Sequence, residues 1–197
     1  NLSFRSPIVE LSGQFELFIT KEKQGSLYKI KNAKKTAHLD LLVYVFGGGG
    51  VFFFNPQAKY AGTWVNLQPL GTEGQGFPGR AKKYSRINFA AIYGFGVKYG
   101  LDRKISLGAE LGFRKTFTDY IDDVSTTYYN NDWLRAARGD VAADLADPSL
   151  DGLSALPYYE DGTGQQRGGS KDKDSYAFLT FSINYKMLYR RKTRSKF

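Results

Sequence analysis

Lys104-Ile105-Ser106-Leu107-Gly108-Ala109-Glu110-Leu111-Gly112-Phe113-Arg114 alternates strictly between two kinds of residue, and the pattern runs on to Thr118. Successive side chains of a strand point to opposite faces. Ile105, Leu107, Ala109, Leu111 and Phe113 therefore share one face, with Ser106, Gly108, Glu110, Gly112 and Arg114 on the other. A period of two over this length predicts a strand. It is also long enough to cross a bilayer, for which a tilted strand needs about 9–11 residues.

Four further segments extend the pattern. In Arg86 to Tyr99, Ile87, Phe89, Ala91, Tyr93, Phe95, Val97 and Tyr99 form one face, opposite Asn88, Gly94, Gly96 and Lys98. In Ser175 to Tyr189, Ala177, Leu179, Phe181, Ile183, Tyr185 and Met187 lie opposite Thr180, Ser182, Asn184 and Lys186. Near the start, Val9, Leu11, Phe15 and Leu17 alternate with Glu10, Ser12, Gln14 and Glu16. The fifth segment, His38 to Asn55, is apolar on both faces and contains Gly47 to Gly50. A bulge there, or a bulky group packed on bare backbone, accounts for the glycines.

The polar face of the clear strands carries Glu10, Glu16, Lys98, Glu110, Arg114 and Lys186. Inside a narrow barrel these charges can pair across the lumen, where hydration and counter-charges offset desolvation. The apolar face is dominated by large rings, as a lipid-facing band with aromatic girdles requires. A soluble sandwich or lipocalin-like barrel would point that apolar face inward, leaving the charged row outside. The expected fold is all-β: an antiparallel transmembrane β-barrel, to which this chain gives about five strands as one domain over residues 1–197.

Composition agrees. The chain has 14 Tyr, 15 Phe and 22 Gly, but one His and no Cys, so disulfides, thiolate nucleophiles and zinc–thiolate sites are excluded. Mean hydropathy is negative. No run of 18 apolar residues occurs, which rules out a transmembrane helix but not a barrel, where only alternate residues meet lipid. Single-chain bacterial barrels have an even number of strands, at least eight. Five strands leave such a wall open. The expectation is that a signal peptide and about three strands lie upstream of Asn1; the alternative is that partner chains or an unusual fold complete the wall.

Connections alternate in length. Gly100-Leu101-Asp102-Arg103 is a tight turn, whereas 56–84 and 119–174 are long. Barrels of this kind keep short turns in the periplasm and long loops outside. The loops 56–84 and 119–174 are therefore expected to be extracellular, and the tail 190–197 periplasmic. On the periplasmic side this gathers Lys21, Lys23, Lys29, Lys31, Lys34, Lys35, Arg103, Lys104, Arg190, Arg191, Lys192, Arg194 and Lys196. Such a basic rim suits an acidic protein partner or lipid headgroups, and the net charge of +9 then needs no nucleic acid. The 119–174 loop is acidic.

Sites for chemistry are scarce. His38 must serve any His-based triad, as in an outer-membrane lipid A deacylase or protease, but its place near the periplasmic end of a strand speaks against that role. Gly94-Phe95-Gly96 lacks the third glycine and the following helix of a dinucleotide fingerprint. Asp119, Asp122 and Asp123 could meet calcium, without the spacing of an EF-hand. Gly162 to Gly169 reads as a mobile loop tip. No cofactor, resident metal or small-molecule substrate is expected. A passive pore or adhesin on the acidic loops is a further possibility.

Gly94-Phe95-Gly96-Val97-Lys98-Tyr99-Gly100 and Leu107 to Ser125, above all Phe113-Arg114-Lys115-Thr116-Phe117-Thr118-Asp119-Tyr120-Ile121-Asp122-Asp123-Val124-Ser125, resemble the PorG-like family of Bacteroidetes outer-membrane barrels. Gly50 to Pro56, Leu67 to Gly76 and Asp174 to Phe178 are similar to it as well. The resemblance implies an eight-stranded, non-enzymatic barrel in the outer membrane. It also implies docking, on the periplasmic side, to the ring that a lipoprotein and its partner form in the type IX secretion and gliding machinery.

Overall fold

The structure is a computed structural model and describes residues 3–20, 41–101, 104–147, 158–185 and 187. In chain order the elements are β1 (Phe4–Arg5), β2 (Ile8–Phe18), β3 (Leu41–Phe54), β4 (Gln57–Tyr60), β5 (Thr63–Asn66), β6 (Ile87–Gly100) and β7 (Ile105–Thr116). These are followed by β8 (Thr127–Tyr129), α1 (Asn131–Arg138), α2 (Asp140–Ala146), β9 (Thr163–Gln166) and β10 (Ser175–Tyr185). Mostly antiparallel strand takes up 52% of the described residues and helix 10%; the chain is all-β.

The five long strands are the five alternating segments of the sequence. They form one sheet in the order β10-β7-β6-β3-β2, so each is bonded to the next long strand along the chain. The sheet has β2 at one edge and β10 at the other. The chain divides into two compact units. One comprises Asn1–Ser12, Gly49–Ala91 and Lys115–Ser175; the other comprises Gly13–Gly48, Ile92–Arg114 and Tyr176–Phe197.

In the first unit, both stretches read as long loops contain secondary structure. Within 56–84, β4 and β5 form a hairpin that β1 joins through Phe4↔Ala58 and Arg5↔Gln57. Its two-residue turn, Ala61-Gly62, has φ of 47° and 86°, as a primed hairpin turn demands. Within 119–174, β8 pairs with β9 and two short helices lie between them. Asn130 caps α1 by accepting the Asp132 and Trp133 amides, a bond worth about 1 kcal/mol. Gly139, with φ 85°, ends α1 and starts α2. Leu134, Ala143 and Ala146 pack with Tyr129 and Phe77.

Gly162 to Gly169, expected as a loop tip, contains a strand. These residues carry β9, and Gly162 turns the chain at φ 78°. Gly168 lies where a Cβ would strike the Ser125 backbone at 2.8 Å. Gly162, Gly164 and Gly168 serve close packing. A second cluster in this unit sets Phe52, Phe54 and Ala90 against Ile8, Tyr84, Tyr120 and Ile121. Phe54 stacks on Tyr84 (centroids 6.0 Å apart), which stacks on Tyr120 (4.4 Å).

In the second unit the core is Tyr44, Phe46 and Ile92. The glycines of β6 explain the rings of β3. A Cβ on Gly94 would stand 2.5 Å from the Phe46 ring, and one on Gly96 would overlap the Tyr44 ring. For Gly47 to Gly50 the sequence suggests a bulge or a bulky group on bare backbone; the rings come from that strand and rest on glycines of the next. Gly48 answers a different need, because a Cβ there would overlap the backbone of Gly13 on β2.

Candidate functional site

The odd-numbered row of the sheet is exposed. Along β6, Ile87, Phe89, Tyr93 and Phe95 are 53–63% exposed. On β10, Leu179, Phe181 and Ile183 are more open still, as are Val9, Leu11, Phe15 and Leu17 on β2, and Tyr185 is comparably exposed. β3 adds Val45, Val51 and Phe53, and β7 adds Leu107 and Phe113. Those of β2, β6, β7 and β10 are residues that the sequence placed on the apolar face; on β3, apolar on both faces in sequence, exposure singles out this row. Exposed apolar side chains of this row occur on all five long strands, and a monomer in water rarely leaves large apolar patches exposed.

The even-numbered row holds the expected charges. Lys98 pairs with Glu16 at 2.6 Å. Its ammonium also stands 4.4 Å from the centroid of Tyr44, whose hydroxyl donates to Glu110. Glu16, Tyr44, Lys98 and Glu110 thus run across the successive strands β2, β3, β6 and β7. The sequence reading missed Tyr44, since His38 to Asn55 looked apolar on both faces; a single phenol in the even-numbered register was the available signal. Arg114 stacks over Phe178 at 4.9 Å. Glu10 belongs to the other unit, where it is half-buried and engaged, and Lys186 is outside the described residues.

Of the basic rim, Lys104 is described: it is exposed, ahead of β7, and has a partner. Lys21, Lys23, Lys29, Lys31, Lys34, Lys35, Arg103, Arg190, Arg191, Lys192, Arg194 and Lys196 lie outside the described residues, as does His38.

A third constellation lies in the first unit. Glu73 is 1% exposed and accepts the amides of Ser125 (2.8 Å) and Thr126 (3.1 Å) and the Thr126 hydroxyl (2.7 Å). Asp123 accepts from the Thr72 hydroxyl at 2.5 Å and the Tyr84 hydroxyl at 2.6 Å. Arg167 donates to the Asp123 carbonyl (2.7 Å) and reaches Glu73 at 3.4 Å. Two buried carboxylates share one buried guanidinium. Burial raises the Asp123 pKa to about 6, although the two hydroxyls and Arg167 pull it down. Tyr84 is pushed up by burial and by Asp123. Sequence reading found neither Glu73 nor Arg167; both come together only when three distant segments meet.

Two of the three calcium candidates are engaged by the protein itself. Asp123 is held by protein donors, and Asp122 accepts the Val124 amide at 3.0 Å. Among the described residues no cluster of three or more acidic or histidine side chains is arranged to hold a metal. Comparison with protein-family models, curated proteins and solved structures finds no match.

Proposed function

We propose that this chain forms strands of an eight-stranded outer-membrane β-barrel, and that the barrel is a non-enzymatic subunit of a type IX secretion machine, docking a periplasmic ring at the outer membrane. The observation that carries the membrane part is the exposed odd-numbered row, apolar and aromatic over all five strands, backed by a charged and hydrogen-bonded opposite row. A soluble sheet has the reverse arrangement. Three features support closure into a narrow barrel. The long strands follow one another as neighbours. Lys98 on β6 reaches Glu16 on β2 over the intervening β3. Glycines of the even-numbered row lie where strands and rings crowd. Further antiparallel strands along β2 and β10 would satisfy those edges, which an open sheet leaves unpaired.

Barrel formation is tested by migration in unboiled detergent gels and by resistance to alkaline extraction from membranes. A heat-dependent mobility shift and retention in the pellet are expected; release into the supernatant overturns the membrane reading. The docking role rests on the resemblance and on the basic rim. Reversing Lys34, Lys35, Arg190 and Arg191 to Glu should abolish co-purification with the ring while leaving insertion intact. Unchanged co-purification sinks that role.

A further inference from the structure

The positive charge assigned to the rim does not account for a second set of cations, at the opposite ends of the long strands. Lys115 sits in the outward row of β7 just beyond Phe113, and Lys173 just ahead of β10. The Lys115 ammonium donates to the Lys173 carbonyl. Lys83, ahead of β6, donates to the Pro69 carbonyl at 2.6 Å. Arg86 lies over the outward Phe53 ring at 5.3 Å, and Arg5, ahead of β2, lies over Trp64 at 4.1 Å. Among the described residues none of these five is in an ion pair. Each lysine head spends one donor of three on the described protein.

The neighbourhood is specific. Along the chain, the exposed apolar side chains Ile87 and Phe89 follow Arg86, Phe117 follows Lys115, and Val9 follows Arg5. Cations anchored by carbonyls and rings along the border of an apolar band match an interface where hydrocarbon gives way to phosphate. Two carboxylates stand there, exposed Asp172 and half-buried Asp174, whose carboxylate feels Lys115, and the five cations outnumber them. A collar meant only for solubility would have no reason to follow the edge of the apolar band, strand by strand.

We propose that Arg5, Lys83, Arg86, Lys115 and Lys173 form a collar that seats the phosphates of anionic lipid headgroups at the loop-side border of the membrane. The inference rests on reading the odd-numbered row as lipid-facing. The test uses the full-length protein in phosphatidylcholine vesicles with spin-labelled phosphatidylcholine or phosphatidylglycerol. The motionally restricted lipid reports insertion, and the ratio of the two association constants reports headgroup preference.

The wild type should favour phosphatidylglycerol by about threefold or more at low salt, with the preference falling as salt rises. A Lys83→Glu, Lys115→Glu, Lys173→Glu variant should lose the preference and keep its restricted phosphatidylcholine. Absence of restricted lipid around the wild type defeats the membrane reading itself. Restricted lipid without headgroup preference, or a preference that survives in the variant, overturns the collar alone. Sodium phosphate should weaken the preference no more than sodium chloride of equal ionic strength; a phosphate-specific loss assigns the cations to the free anion and also overturns it.

Discussion

Asp123 is a buried carboxylate whose ionisation the fold resists. Its folded pKa of about 6 lies above the ordinary carboxylate value because burial outweighs the help of Thr72, Tyr84 and Arg167. The folded state therefore holds this proton more tightly than the unfolded one. The stabilisation is complete below about pH 4 and is lost as pH rises through 6, a difference of about 3 kcal/mol. Asp122 and Asp174, also raised by burial, act in the same sense. Amide exchange at Ser125 and Thr126, corrected for intrinsic rates, should be slower at pH 5 than at pH 7, and Asp123→Asn should flatten the difference. An opposite slope would show that Arg167 dominates the site. Gly96 makes a second prediction at this scale. Gly96→Leu drives a side chain into the Tyr44 ring, which should cost about 1–3 kcal/mol in urea unfolding. A neutral result would mean that Tyr44 does not rest on β6.

Strands carry the next level. Phe95, near the middle of β6, is 53% exposed. On a surface in water, Phe95→Arg would change stability by no more than about 0.5 kcal/mol. Facing hydrocarbon near the bilayer centre, it should cost roughly 2–4 kcal/mol, read from unfolding of the vesicle-inserted protein. The strands themselves were legible. Ile105 to Phe113 alternates without a break, and the other four segments start and stop within a few residues of the observed elements. α1, α2, β8 and β9 were not, because elements of three to eight residues are too short to show a period. Asn130, followed by Asp132 and Trp133, was the available mark of a helix start.

For the whole molecule, the ring packing of the first unit is the feature with consequences. In the unit that carries the loops, Phe52 and Phe54 are covered by Tyr84 and Tyr120. In the eight-stranded barrel proposed above, side chains would fill the interior, and these stacked rings would add to the filling. Planar-bilayer recordings should show no steady conductance. Open channels in the wild type would contradict both the packing and the anchoring role.

The sequence by itself determined which side chains share a face, since a strand's period of two is a local property that each residue type reports directly. It therefore supplied the five strands, the apolar row and the charges of the opposite row. Only the tertiary structure decided that Tyr44 links Lys98 to Glu110, that Glu73, Asp123 and Arg167 meet, and that Lys83, Lys115 and Lys173 border the apolar band. Those meetings depend on strand register and on the paths of long connections, which are set by packing between residues tens of positions apart and leave no periodic trace along the chain.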